Sequence, residues 1–222
     1  MSSFSLSNLQ KILRPRSRAK EAFFILKHAR FGIVPLQNLV YDLRDGCFCG
    51  GVIQSRFKAK GAYQTQHTDY RSLEEVFFHN DLGISPDDVL VDVGCGKGRV
   101  ISFWLRRKLG GKYIGIELDP DVAAVSAERF KNEPKVRIIQ GDAVENLPVE
   151  GTLFYLWNPF NADIVQQFAD RMIAMSGQMG RIRVVYNNCR HAEVFTSNPV
   201  WEIRQVSNKD VYPAIVATLK RA

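Results

Sequence analysis

The fold of this chain is decided by the stretch Val89-Leu90-Val91-Asp92-Val93-Gly94-Cys95-Gly96-Lys97-Gly98-Arg99. It begins as a short apolar run rich in valine, which is typical of a buried strand. Three glycines spaced by two follow, and beyond Gly98 the apolar residues recur at helical spacing. The pattern predicts a strand, a glycine turn and a helix, which would bring backbone N–H groups and a helix N-terminus up to a ligand. A purely structural strand–helix turn is the alternative.

The spacing of the glycines distinguishes a dinucleotide-binding site from other sites that bind a nucleoside or nucleotide. A dinucleotide fingerprint requires G-x-G-x-x-G, and Arg99 stands where its third glycine would be. An acid, Asp92, lies inside the strand, where a carboxylate is costly unless it is paired. Val91 to Gly98 match every fixed position of V-D-x-G-x-G-x-G, so the stretch resembles motif I of class I S-adenosylmethionine-dependent methyltransferases.

Two further acids follow predicted strands in the expected order. Glu117 closes a second strand, Lys112 to Leu118, and Asp142 follows a third strand, Val136 to Gln140. Ligands of a doubly wound sheet lie at the carboxyl ends of its strands, so these acids should face the glycine turn. A carboxylate at Glu117 can accept two hydrogen bonds from the vicinal hydroxyls of a ribose. The carboxylate of Asp142 is suited to accept a hydrogen bond from the exocyclic amine of an adenine.

The resemblance implies S-adenosyl-L-methionine as the cofactor and a defined set of residues around it. The expected cofactor-binding residues are Asp92, Val93, Gly94, Cys95, Gly96, Gly98, Glu117, Leu118, Asp142, Ala143, Asn158 and Tyr63. Tyr63 belongs to a polar, aromatic stretch, residues 61–70, which is either a lid over the cofactor or an ordinary surface loop. No metal site is expected.

A fourth predicted strand, Leu153 to Trp157, ends in Asn158-Pro159-Phe160. This tripeptide looks like a shortened form of the N/D-P-P-Y/F motif of amino-methylating members, with one proline instead of two. The resemblance implies that Asn158, Pro159 and Phe160 are catalytic: the Asn and the next carbonyl would hold the target nitrogen, and the aromatic ring would stack on it. A packing turn with a structural Asn is the alternative.

The remaining pattern completes an α/β fold. We predict a doubly wound, mostly parallel seven-stranded sheet that ends in a C-terminal antiparallel hairpin, because the turn at 207–210 is too short for a crossover helix. A helix from Ser72 to Asn80 should open with a capping box at Ser72 and Glu75. Asp119 and Pro120 should begin another helix, as its N-cap and its first residue. Residues 36–70 show little regularity. The expected domains are a basic helical extension with the lid loop, 1–69, and a methyltransferase domain, 70–222.

Positive charge is concentrated at the N-terminus. The chain carries a net charge of +7, and residues 1–40 hold seven basic residues against one acid. Two helices are predicted there, Ser5 to Leu13 and Ser17 to Phe31, separated by Pro15. The segment is an accessory helix pair, a docking site for nucleic acid or another acidic partner, a membrane-surface helix or a transit peptide. No apolar run is long enough to span a membrane, and we expect a cytoplasmic protein with reduced thiols.

Three classes of function follow. The first is methyl transfer from S-adenosylmethionine to an unidentified acceptor, such as an amine nitrogen of a protein, a nucleic acid or a small molecule. The second is a non-catalytic nucleic-acid- or protein-binding module on the same fold. The third is a nicotinamide-dependent oxidoreductase, which Arg99 and Asp92 both disfavour.

Overall fold

The computed structural model describes residues 33–45, 49, 57, 61, 68–206 and 212–220. The chain divides into two units, Met1–Phe48 and Cys49–Ala222. The described part of the first unit is α1, Ile33–Arg44, a helix in a region whose sequence showed little regularity. The helices predicted at Ser5 to Leu13 and Ser17 to Phe31 lie outside the described residues, and the domain boundary predicted at 69/70 stays a prediction.

The second unit contains a seven-stranded sheet in the order β3-β2-β1-β4-β5-β7-β6. Its strands are β1 Val89–Val93, β2 Lys112–Glu117, β3 Val136–Gln140, β4 Leu153–Trp157, β5 Arg183–Asn187, β6 Trp201–Val206 and β7 Ala214–Leu219. Its helices are α2 Tyr70–Phe78, α3 Arg99–Arg107, α4 Pro120–Phe130, α5 Ala162–Met175 and the single turn α6 Glu193–Thr196.

Strands β1 to β5 are parallel, and β7 pairs antiparallel with both β5 and β6. This arrangement confirms the predicted fold class, including the terminal hairpin. The hairpin strand that lies inside the sheet is β7, whose first four residues, Ala214 to Ala217, are all buried. In β6 the end residues Trp201 and Val206 are buried and the residues between them are partly or fully exposed, as expected for an edge strand.

Side chains of alternate strand residues fill two cores, one on each face of the sheet. On one face Phe154 and Leu156 pack with Val165 and Phe168 of α5, and the rings of Phe154 and Phe168 lie 6.2 Å apart. The other face holds an aromatic cluster built from α2, α3 and the strands. Its members are Tyr70, Phe77, Phe103, Trp104, Tyr113 and Tyr155, with ring centroids 5.6–6.5 Å apart.

Three helices begin at side-chain caps. Asp119 caps α4 with Pro120 in its first turn, as predicted, and Asn161 caps α5. The prediction for α2 is wrong by three residues: its N-cap is Asp69, whose Oδ1 accepts the N–H of Ser72 at 2.8 Å. A carboxylate accepts this bond at least as well as a serine hydroxyl, so the earlier cap prevails.

A buried ion pair joins the loops at the amino edge of the sheet. The guanidinium of Arg183 binds Oδ1 of Asp88 and also donates to the carbonyls of Leu82, at 2.6 Å, and Gly83, at 2.8 Å. Asp88 accepts two further bonds, from the hydroxyl of Thr152 and the N–H of Ser85. Burial raises the pKa of Asp88, but these hydrogen bonds and the charge of Arg183 outweigh burial, so the pKa is lowered.

Cysteine pairing differs from the expectation of reduced thiols at one position. Cys49 is disulfide-bonded, whereas Cys95 and Cys189 are free. Within the residues that the structure describes, no helix is long and apolar enough to cross a membrane. No cluster of three or more potential metal ligands occurs in the same residues.

Candidate active site

The glycine turn after β1 is folded tightly against β2. The N–H groups of Gly94 and Cys95 both donate to the carbonyl of Ile116, at 2.9 and 3.0 Å. Gly94, Gly96 and Gly98 all have positive φ, at 79°, 54° and 80°, so each uses a conformation that other residues adopt only under strain. A side chain at Gly98 would also collide with the ring of Phe130, because its Cβ would lie 2.4 Å from Cε2.

Helix α4 fixes the carbonyls of the same turn. The buried hydroxyl of Ser126 donates to the carbonyl of Gly96 at 2.5 Å, and Arg129 donates to the carbonyl of Lys97 at 2.8 Å. Sequence reasoning missed both residues. They are about 30 positions from their partners, and a serine or arginine within a helix carries no local sign of such a contact.

Glu117 lies beside the turn, at the end of β2. Its Oε2 accepts the N–H of Gly96 and its Oε1 accepts the N–H of Asp119, both at 2.9 Å. Burial raises the pKa of this carboxyl even though the two N–H bonds oppose the shift. Each oxygen has a second lone pair, so the carboxylate can still accept hydrogen bonds from two neighbouring hydroxyls of a ligand.

Asp92 is the most unusual polar group of the site. Its side chain is buried inside the sheet, and its Oδ2 has no hydrogen-bond partner among the described residues. Burial raises its pKa well above the usual range, and the charge of Glu117 raises it further. A buried acceptor without a partner is costly, so this oxygen is suited to a donor or a cation supplied by a ligand. The site therefore fits a cationic nucleoside such as S-adenosylmethionine.

The other predicted cofactor residues differ in what they offer to a ligand. Val93 and Cys95 are buried, and the Sγ of Cys95 lies so close to Gly115 that a Cβ there would be 2.7 Å away. Their side chains therefore belong to the core, and only their backbone is available to a ligand. Asp142 Oδ1 accepts the N–H of Val144 at 2.8 Å, which orders the turn that presents Ala143. Leu118 is partly exposed, and Tyr63 lies outside the described residues.

The Asn158-Pro159-Phe160 segment lies next to the glycine turn. A Cβ on Gly94 would lie 3.2 Å from Cβ of Pro159, so glycine permits the close approach. Asn158 has φ 41°, a left-handed conformation that Asn tolerates better than most residues. The ring of Phe160 is partly buried and lies 6.4 Å from that of Phe168. The stacking role predicted for Phe160 stays a prediction.

Tyr186 is a site residue that the sequence did not reveal. Its fully buried hydroxyl donates to Oδ1 of Asn158 at 3.0 Å. This bond fixes the orientation of the amide and leaves one lone pair on its oxygen. The signal available in the sequence was a polar end to the fifth strand, Tyr186-Asn187-Asn188, which resembles the polar ends of the four strands before it.

A second buried network supports the edge from the other face of the sheet. Asn187 donates to Tyr155 at 3.1 Å and to Ser72 at 3.0 Å, and the Tyr155 hydroxyl lies 3.4 Å from that of Thr68. Arg99 donates to the carbonyl of Thr68 at 3.1 Å. The residue that breaks the dinucleotide fingerprint is therefore buried and holds the chain that leads into α2.

The fold and the site together define a class of protein. Acids stand at the ends of β1 and β2 beside a glycine turn, and β7 is inserted antiparallel in an otherwise parallel sheet. A dinucleotide-binding domain has six parallel strands in the order 3-2-1-4-5-6 and a third glycine at the position of Arg99, so the nicotinamide alternative is not supported. The class is that of the Rossmann-like methyltransferases.

Comparison with known proteins agrees with this class. A family model described as "Methyltransferase domain" matches residues 90–181, and this match supports the assignment to the class I S-adenosylmethionine-dependent methyltransferases. This confirms the predicted family and its cofactor. The structure of the B. subtilis m1A22 tRNA methyltransferase TrmK is similar with a TM-score of 0.52 at 10% identity, covering 69% of this chain and 66% of that one. At this identity the likeness concerns the fold alone.

Two relatives carry names that specify a substrate. The chain is 29% identical over 161 residues to "Probable ribosomal RNA small subunit methyltransferase A" of Methanosarcina mazei, covering 64% of this chain and 58% of the relative. It is 30% identical over 158 residues to the protein of the same name from Methanosarcina barkeri, covering 62% of this chain and 54% of the relative. The chain thus spans a little over half the length of these relatives.

Proposed function

We propose that this protein transfers a methyl group from S-adenosylmethionine to an RNA, at an amine nitrogen of a base. The observation that carries the proposal is the buried Asp92, whose Oδ2 has no partner among the described residues, beside Glu117 and the glycine turn. S-adenosylmethionine supplies an activated methyl on a sulfonium. In direct transfer the N–C bond to a neutral amine forms as the C–S bond breaks, S-adenosylhomocysteine leaves, and the surplus proton of the methylated nitrogen passes to water. Such a step needs alignment more than it needs a protein nucleophile.

Each part of the edge has a role in this proposal. Glu117 accepts hydrogen bonds from the hydroxyls of the ribose, and Asp92 accepts a hydrogen bond from a donor in the cationic half of S-adenosylmethionine. Asp142 and Ala143 contact the adenine. The remaining lone pair on Oδ1 of Asn158 accepts an N–H of the target amine. This orients the nitrogen lone pair towards the methyl group, while Tyr186 prevents the amide from rotating. A bond that forms best in the aligned complex accelerates transfer more than it tightens binding.

Two observations support RNA as the acceptor. The archaeal relatives are named as methyltransferases of small-subunit ribosomal RNA. Residues 1–40 carry six of the seven net positive charges of the chain, which suits a polyanionic partner.

The test is a transfer assay with S-adenosylmethionine labelled in its methyl group. The acceptors are small-subunit ribosomal RNA, transfer RNA, single-stranded DNA and total protein, each prepared without prior methylation. We expect label in RNA, recovered after digestion as a methylated base. Glu117→Ala should abolish most of the signal, whereas Glu74→Ala, which removes a partly exposed carboxylate paired with Arg107, should not. Label only in protein or DNA would refute the RNA acceptor.

The role of the basic segment has its own test. Deletion of residues 1–16 should leave the affinity for S-adenosylmethionine unchanged, because the proposed cofactor residues that the structure describes lie between 92 and 158. Affinity for RNA should fall, and its dependence on salt concentration should become shallower. A folded deletion protein that no longer binds the cofactor would show that this segment builds the pocket.

A further inference from the structure

The ends of β4, β5 and β7 form a rim on the acceptor side of Asn158. Trp157 is in register with Asn187, and Asn187 is in register with Ala214, so the three strand ends stand side by side. Tyr212 precedes β7 and packs its ring edge-on against Trp157, with the centroids 4.9 Å apart. The N–H of Cys189 donates to the carbonyl of Pro213 at 3.0 Å, which ties the loop after β5 to the same rim.

The exposure of this aromatic pair is not typical of core packing. Trp157 and Tyr212 are both partly exposed, whereas the other two tryptophans, Trp104 and Trp201, are buried. Edge-on packing against Tyr212 holds the indole ring in place and leaves part of it open to a ligand. The ring belongs to the residue directly before Asn158, so it stands at the same edge of the sheet as the proposed transfer site.

The loop after β5, which is tied to the rim at Cys189, also carries a cation. Arg190 follows Cys189 and is exposed, and within the described part of the chain its side chain has no ion pair or hydrogen bond. An arginine placed beside an aromatic face is a common arrangement in proteins that bind single-stranded nucleic acid, because the ring stacks on a base while the guanidinium binds a phosphate.

We propose that Trp157, Tyr212 and Arg190 form a docking site for one unpaired nucleotide of the RNA acceptor. The base stacks on the Trp157–Tyr212 pair and the adjoining phosphate binds Arg190. This inference rests on the proposed function, since it requires an RNA acceptor. It concerns RNA docking and not the binding of S-adenosylmethionine.

Tryptophan fluorescence tests the site directly, because Trp157 is the one partly exposed tryptophan of the three. The probe is an unstructured ten-nucleotide RNA, added to protein saturated with S-adenosylhomocysteine. We expect the RNA to quench part of the emission in the wild type and in Trp201→Phe, and to quench none in Trp157→Phe. Quenching that persists in Trp157→Phe would overturn the proposal.

Kinetics provide the second readout. Trp157→Leu and Tyr212→Leu should each raise KM for RNA about tenfold, the scale for loss of one stacked base, with little change in kcat or in cofactor affinity. Arg190→Gln should reduce the salt dependence of RNA binding by about one phosphate contact. RNA that is methylated with an unchanged KM in both leucine variants would refute the docking site and leave the proposed function intact. Failure of the wild type to methylate any RNA would refute the function itself.

Discussion

Two aspartates four residues apart mark opposite edges of the sheet and differ in almost every physical respect. Asp88, just before β1, is bound by Arg183, Thr152 and Ser85, and its pKa is lowered. Asp92, near the end of the same strand, has an oxygen without a partner among the described residues, and its pKa is raised well above the usual range. Both side chains are buried.

Under the proposed function, one strand serves stability at one end and ligand binding at the other. At the amino edge the buried charge is matched by protein groups, so the folded chain is stabilised. At the carboxyl edge Asp92 Oδ2 has no partner among the described residues, and we propose that a ligand supplies the match and relieves the cost that the folded chain bears. Substitutions at the two edges should therefore affect different measurements.

The largest expected effect is on stability at the amino edge. Asp88→Ala should lower the free energy of unfolding at pH 7 by about 3–5 kcal/mol, because it leaves the buried Arg183 without its counter-ion. The measurement is chemical denaturation of both proteins. Asp87→Ala, at the exposed neighbouring position, is the matched control and should change stability by less than about 0.5 kcal/mol.

The dependence on pH sharpens this prediction. Because the pKa of Asp88 is lower in the folded protein, its stabilisation is present above the unfolded value and is lost as the pH falls through the folded value. The difference between wild type and Asp88→Ala should shrink below about pH 4. A difference that is constant from pH 7 to pH 3 would contradict an electrostatic role.

At the carboxyl edge, Glu117→Ala should weaken binding of S-adenosylmethionine by about 1–3 kcal/mol, the scale for loss of a charged hydrogen-bond acceptor. The variant also leaves the N–H groups of Gly96 and Asp119 without their acceptor. Glu117→Gln retains one acceptor oxygen and should lose less affinity than Glu117→Ala. Calorimetric titration measures the affinity, and an unchanged value in folded Glu117→Ala would rule out the ribose role.

Asn158→Ala should slow methyl transfer by at least about tenfold, or about 1.4 kcal/mol of barrier, with little change in cofactor affinity. Single-turnover methylation and a cofactor titration on the same protein distinguish the two quantities. Asn158→Gly removes the amide without straining the left-handed backbone and should be equally slow. Tyr186→Phe should show a smaller loss, and full activity in Asn158→Ala would make the Asn a turn residue only.

The smallest expected effect is on stability at Asp92, where the substitution should stabilise the protein instead of destabilising it. An acid whose pKa is raised by folding destabilises the protein progressively as the pH rises from the unfolded value towards the folded one. Asp92→Asn removes that cost, so thermal unfolding at pH 7 should show a gain of about 0.5–2 kcal/mol, together with weaker cofactor binding. A loss of stability would mean that Asp92 is paired within the protein.

Local patterns predicted much of this molecule correctly. The valine-rich run and the glycines at 94, 96 and 98 specified strand, turn and helix, because left-handed backbone and strand periodicity are encoded by neighbouring residues. The pair Asp119-Pro120 correctly marked the start of a helix. The same kind of reasoning failed at α2, where Asp69 and Ser72 are both good caps and local propensity does not choose between them.

The sequence by itself determined the sheet, the glycine turn and the acids that follow its strands, because each depends on periodicity and on residues close together in the chain. Only the tertiary structure decided which of those polar groups are already satisfied. Tyr186 reaches Asn158 across 28 positions, Ser126 reaches Gly96 across 30 and Arg183 reaches Asp88 across 95. The order of the strands in the sheet brings such partners together, and no local sequence pattern encodes that order. Asp88 and Asp92 therefore look alike in the sequence, and folding shifts their pKa values in opposite directions.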